Sequence, residues 1–342
     1  SMAEYSPAMA HNLFLWPNFI HPGTFHDYGE AKHVPVLFTG SQAPHYPWRN
    51  RVWLAVSQIY PSMTCPHFGW FDAAGDARTI IGERYARLIN AAYVVPTCGT
   101  IARDLVRKHF EIPGAAACLL TERTPAVEAA GFVDMENCVM SDGSDTLDKL
   151  DHLFRNPDEM ARITDAGYTL VHSRHTSMER DQIHQWFRLN QVAGPGQRIV
   201  QSGPFEPLSL TGSGSWRGNR HIHTGPLDRS IQQVGDALLR QGDISGARRQ
   251  YLRCKSFHLL PDAVLRLVIC CLEEGRPAEG LDRISEYVDW VLRHYGSEPD
   301  PIAWAYFIRA LLCAGDVERE TRQAAQYPSI RHVELDRMRA AL

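Results

Sequence analysis

Between residues 34 and 141 the chain repeats one alternation, a short and almost wholly apolar run followed by a segment with apolar residues at helical spacing. "VPVLFTG" (34–40) leads into "WRNRVWLAVSQI" (48–59), and "GERYARLINAA", "YVVP", "LVRKHFEIPGAA", "ACLLTE", "PAVEAAGF" and "NCVMSD" continue the pattern. Strands that are apolar throughout have two faces to bury, and helices of this length return the chain to start a parallel neighbour. The expected fold is therefore α/β, a Rossmann-like parallel sheet covered on both sides. From residue 145 onward the sequence reads as nearly continuous helix, broken at Asn156-Pro157 because a residue before proline is pushed out of the helical region.

Composition shifts at about residue 191. "QVAGPGQRIVQSGPFEPLSLTGSGSWRGNRHIHTGP" is crowded with Gly, Pro and Ser and shows neither helical nor strand periodicity, which reads as a linker or an extended wrapping segment. Beyond it, Ile231, Val234, Gly235 and Leu238 with Gly242, Ala247, Tyr251 and Cys254 resemble the tetratricopeptide pattern, in which small residues mark the close approach of paired helices. The pattern returns more weakly at Val264, Leu267, Gly275, Gly280 and Ile284, and again at Trp304, Phe307, Leu311 and Gly315. The expected organisation is a Rossmann-like domain over 1–190, a linker over 191–226 and about three helical pairs over 227–342.

Charge and cysteine usage exclude several classes of function. A net charge of -4 provides no general field for nucleic acid, and no apolar stretch approaches the ~20 residues a membrane span needs. Eight cysteines without a CxxC pair or regular spacing read as reduced thiols in a cytoplasm. "HIH" (221–223) has no third ligand nearby and reads as solvated linker, so no metal is expected.

"RKHFEIPGAAACLLTE" (107–122) carries the chemistry. In a parallel α/β sheet ligands bind beyond the carboxyl ends of the strands. A carboxylate near a strand-helix junction there, Glu111, can accept hydrogen bonds from ribose hydroxyls while a neighbouring Lys or Arg neutralises a diphosphate. The small residues from Gly114 to Ala117 let the backbone approach the ligand or the sheet.

The order and spacing of "PNFIHPGTFHDYG", "VPVLFTGS", "GERYARLINAAYVV", "RKHFEIPGAAACLLTE", "AAGFVDMENCVM" and "LFRNPDEMARITDAGYTLVHSRHT" resemble the donor-binding, C-terminal half of GT-B glycosyltransferases, in the "glycosyl transferases group 1" branch that includes CgeB-like proteins. Ala116 stands where that family usually has Gly. The resemblance implies a metal-independent transfer of sugar from a nucleotide-diphosphate sugar, a donor substrate rather than a cofactor, to an acceptor hydroxyl on a glycan, a protein or a small molecule. It places Glu111 on the ribose, Lys108 near the donor phosphates, Gly40 and Ser41 in the turn under the diphosphate and Arg49 within reach of it, with Tyr85 and Thr97 lining the nucleoside pocket. About thirty residues precede the first strand, so the acceptor-binding half is expected elsewhere, by truncation of a longer enzyme or on another chain. The competing expectation is a non-catalytic scaffold whose helical repeats bind a protein partner and whose α/β domain is degenerate.

Overall fold

The computed structural model describes residues 2–65, 80–212, 214, 219–258, 260–296 and 298–341. The chain forms two compact units, Ser1–Pro226 and Leu227–Leu342. The first contains, in order, α1 (Met2–Tyr5), a 3-10 turn (Pro7–Asn12), β1 (Val34–Thr39), α2 (Pro47–Ser57), β2 (Ser62–Cys65), α3 (Gly82–Asn90), β3 (Ala92–Thr97), α4 (Lys108–Gly114) and β4 (Cys118–Glu122). It continues through α5 (Pro125–Ala129), β5 (Val139–Ser141), α6 (Thr146–Arg155), α7 (Pro157–Arg174), α8 (Gln182–Val192), β6 (Gln197–Gln201) and β7 (Leu208–Gly212).

Five strands form one sheet in the order β2-β1-β3-β4-β5, and every pair is parallel. Their apolar runs serve both faces, as the sequence requires. Leu37, Val95, Leu119 and Met140 join one core with Ala86 and Ile89 of α3, Phe110 and Ile112 of α4 and Val127 of α5. Val36, Phe38, Val94, Leu120 and Val139 join the other with Trp48, Val52 and Val56 of α2 and Leu150 and Leu153 of α6. The connection leaving β1 thus crosses one face, while those entering and leaving β3 cross the opposite one. The strand order reverses between β1 and β3, and in open parallel sheets ligands bind beyond the carboxyl ends of the strands at such a switch point.

Two elements depart from the sequence expectation. Ser62–Cys65 is an edge strand beside β1, exposed at its first three residues, so no apolar run marks it. The stretch from 191 to 226 is not without strand structure, because Gln197–Gln201 and Leu208–Gly212 pair as an antiparallel hairpin. It lies within the first unit. Gln201 fastens it to the chain's opening segment, its Oε1 accepting from the Leu15 amide (2.7 Å) and its Nε2 donating to the Leu15 carbonyl (2.9 Å). Residues 213 and 215–218 of this stretch lie outside the described residues.

The second unit is entirely helical in its described secondary structure: α9 (Leu227–Arg240), α10 (Ile244–Phe257), α11 (Pro261–Glu273), α12 (Pro277–His294), α13 (Pro301–Cys313), α14 (Val317–Ala324) and α15 (Val333–Ala341). Short loops bring each helix back against its chain neighbour. Gly242, Gly275 and Gly315 close α9, α11 and α13 with φ of 82°, 69° and 80°, the left-handed conformation that ends a helix at least cost in glycine. Gly235 leaves room for a neighbouring ring, since a Cβ there would lie 2.6 Å from Tyr251 Cε1. No described helix of either unit is long and apolar enough to cross a membrane.

Candidate functional site

At the switch point β1 ends in Thr39-Gly40-Ser41, and two cations meet over the glycine. Gly40 has φ of 91°, and a Cβ on it would collide with Lys108 Nζ and lie 3.1 Å from Arg49 Nη1. Arg49, from the first turn of α2, is only 3% exposed. Its Nη1 donates to the Ser41 carbonyl (3.0 Å), its Nη2 to Thr97 Oγ1 (3.1 Å), and its guanidinium lies 4.4 Å from the Tyr46 ring centroid. Its buried Nε has no partner, and no carboxylate pairs with it among the described residues. Lys108 opens α4 and has neither a hydrogen bond nor an ion pair among the described residues. Burial and the Arg49 charge lower its pKa to about 8, with Glu111 acting in the opposite direction. Two desolvated, unneutralised cations beside one glycine cost stability, and an anion seated there removes that cost.

Glu111 follows three residues after Lys108 and so lies on a neighbouring part of the helix face. Its side chain is 10% exposed and its one ion pair among the described residues, to Arg107 Nε, is loose at 3.5 Å. No hydrogen bond to its carboxylate occurs among the described residues. Burial pushes its pKa up, while Arg107 and Lys108 pull it down. Tyr85 and Thr97, expected to line a nucleoside pocket, both face inward. The Tyr85 hydroxyl donates to Thr39 Oγ1 (3.1 Å) while its ring meets Phe25 edge-on, and the fully buried Thr97 hydroxyl accepts from Arg49.

A pattern missed in the sequence underlies this arrangement: three strands carry threonine at their carboxyl ends, Thr39 and Thr97 as the last residue and Thr121 as the last but one. Thr97 pairs directly with Thr121, and β1 is registered on β3 by Val36 against Val94, three residues before each strand's terminal threonine. Each hydroxyl is engaged by a different side chain: Thr39 by Tyr85, Thr97 by Arg49 and Thr121 by His109 Nε2 at 3.0 Å. The loop leaving β3 is strained, with Thr100 and Arg103 at φ of 62° and 54°. Left-handed conformations in a β-branched residue are uncommon, and such strain gathers at functional sites. At the end of β4 the partly buried Glu122 faces Arg103 Nε at 3.4 Å.

Other expectations fall elsewhere. Gly114 to Ala117 close α4 at the amino edge of the sheet, away from the cations, where a Cβ on Gly114 would strike Ile20 Cδ1 at 2.7 Å. Their smallness serves packing, the second of the two roles expected for them. His221 Nε2 lies 2.7 Å from the Ala10 carbonyl, and no cluster of metal-ligating side chains occurs among the described residues. All eight cysteines are free, seven of them buried.

Residues 30–187, a span that contains every one of these site residues, match the family model described as glycosyl transferase-like. Among solved structures, the C-terminal domain of a glycosyl transferase group 1 family protein from Francisella tularensis aligns over 46% of this chain and 99% of its own, at 13% identity and a TM-score of 0.35. No curated protein matches the chain.

Proposed function

We propose that residues 30–187, glycosyl transferase-like in sequence, hold a nucleotide-diphosphate sugar, and that the chain supplies the donor-binding half of a GT-B-type glycosyltransferase acting on an acceptor hydroxyl. The observation that carries this reading is the pairing of Arg49 and Lys108 over Gly40 at the β1/β3 switch point without a carboxylate partner for Arg49 or a hydrogen-bonded one for Lys108. When the bond from the sugar's anomeric carbon to the diphosphate breaks, negative charge accumulates on the leaving phosphate. Arg49, fixed by Ser41 and Thr97, is already oriented to meet that charge, so little reorganisation is needed during the reaction. Lys108 adds a second, compact charge. Because side chains provide this neutralisation, the transfer is read as metal-independent. Glu111, unengaged by hydrogen-bond donors, is assigned to the ribose hydroxyls.

The helical unit is read as tetratricopeptide-like, with the repeated left-handed glycines at 242, 275 and 315 as support, and as the part that holds an acceptor or a protein partner. The competing scaffold reading leaves unexplained why a degenerate domain keeps two unpaired, partly desolvated cations.

Calorimetric titration with uridine, guanosine, adenosine, cytidine and thymidine diphosphates and their sugars tests the reading. One base class is expected to bind, and Glu111→Ala to weaken it ~10-fold or more with the fold intact. No binding by any of them would overturn the donor assignment.

A further inference from the structure

We infer that His109 is a positioning residue of this site: its uncharged ring, held at both nitrogens, sets the angle of the first turn of α4 and hence where the Lys108 ammonium and the Glu111 carboxylate stand. The inference relies on the donor-site reading for what those two groups hold, but not for where they are placed.

α4 has seven residues, too few for helix propensity to fix its orientation. Successive residues turn by ~100°, so Lys108 and Glu111 lie ~60° apart, at ~100° and ~160° from His109, and any roll of the helix swings them together. His109 resists that roll. It is fully buried, its Nδ1 lies 3.0 Å from the Val106 amide and 3.2 Å from the Val106 carbonyl, and its Nε2 lies 3.0 Å from Thr121 Oγ1. With the amide donating to Nδ1, the ring proton sits on Nε2 and is given to Thr121. One ring therefore ties the incoming loop, the helix and the neighbouring strand. Burial, with the Arg49 charge added, lowers its pKa to about 4 against the opposing pull of the Val106 carbonyl, so it adds no third positive charge beside Arg49 and Lys108.

Two variants test this, His109→Gln and the near-isosteric Thr121→Val, which breaks the same tie from the strand side without touching the helix. The first readout is competitive acetylation of ligand-free protein, read by mass spectrometry. The chain has only four lysines, so the pH midpoint for Lys108 is assigned directly. In both variants a displaced ammonium gains water, and its midpoint is expected to rise by about one pH unit, with that of Lys149 as the unmoved control. The second readout is titration with inorganic pyrophosphate, expected to bind ~10-fold more weakly in either variant and no more weakly in the double variant than in the worse single one. A lower melting temperature with an unchanged Lys108 midpoint and unchanged pyrophosphate affinity would make His109 merely structural and overturn the inference. If wild-type protein binds neither pyrophosphate nor any nucleoside diphosphate, the donor reading fails, and the acetylation midpoints alone still decide the role of His109.

Discussion

Two lysines at opposite edges of the same sheet show how differently a buried cation can be used. Lys32, at the amino edge, donates to the carbonyls of Asn90 (2.6 Å), Ala92 (2.9 Å) and Ala116 (2.5 Å), tying the starts of β3 and β4 together. Lys108, at the carboxyl edge, has no hydrogen bond at all among the described residues. Burial lowers both to about 8, so the perturbed titration alone does not distinguish them. What distinguishes them is satisfaction. A buried cation with three acceptors is a structural tie, whereas one with none fits the proposed role of meeting a ligand that brings the acceptors with it.

The largest expected effect separates the two directly. Lys32→Met strands three carbonyls and should destabilise the first unit by ~3 kcal/mol in chemical denaturation, leaving nucleoside diphosphate affinity unchanged in protein that remains folded. If affinity fell in step with stability, the two edges would not be independent. Lys108→Met should do the reverse, weakening diphosphate binding by ~2 kcal/mol, roughly 30-fold, with little effect on the bare nucleoside and with ligand-free protein made more stable, because the unpartnered buried charge is gone.

Proton linkage gives a smaller but signed test. Both folded-state values lie below the ordinary 10.5, so between pH 8 and 10.5 the unfolded chain binds more protons than the folded one. Stability of ligand-free protein is therefore expected to receive a rising contribution from both lysines as pH climbs through that window, a contribution halved in Lys108→Met. Diphosphate affinity should fall over the same window as the Lys108 ammonium is lost. Affinity flat from pH 8 to 10 would remove Lys108 from the site.

The smallest effect belongs to the amino edge. Ala116 sits at φ of 53°, where glycine is at ease and alanine is strained. Ala116→Gly should stabilise the fold by about 0.5 kcal/mol with no change in ligand binding, measured by thermal denaturation.

The sequence discloses the parts of this molecule that are governed by pattern. Continuous apolar runs such as Val34–Thr39 and Cys118–Glu122 announce buried parallel strands, and Lys108 and Glu111 stand out by their motif. Ser62–Cys65 escapes because an exposed edge strand needs no apolar side chains, and the hairpin at 197–212 escapes because glycine and proline around it signal loop. His109 escapes for a different reason. A histidine beside a lysine looks solvated until the fold shows that its ring points inward at Thr121, a contact between residues whose pairing only the tertiary structure defines. Arg49 lies between these cases, legible as a cation within reach but not as one buried without a carboxylate.

The threonines at the carboxyl ends of β1, β3 and β4 tie the site to strand register. In a parallel sheet side chains alternate between faces, so a slip of β3 by one residue would carry the Thr97 hydroxyl to the far face and bring Pro96 or Cys98 beneath Arg49 instead. Neither offers an equivalent hydroxyl. An out-of-register first unit could still bury apolar residues on both sides and look folded by secondary structure, yet Arg49 would lose its anchor. Ligand binding at the proposed site would thus report on correct strand alignment, a property that helix content or compactness does not measure.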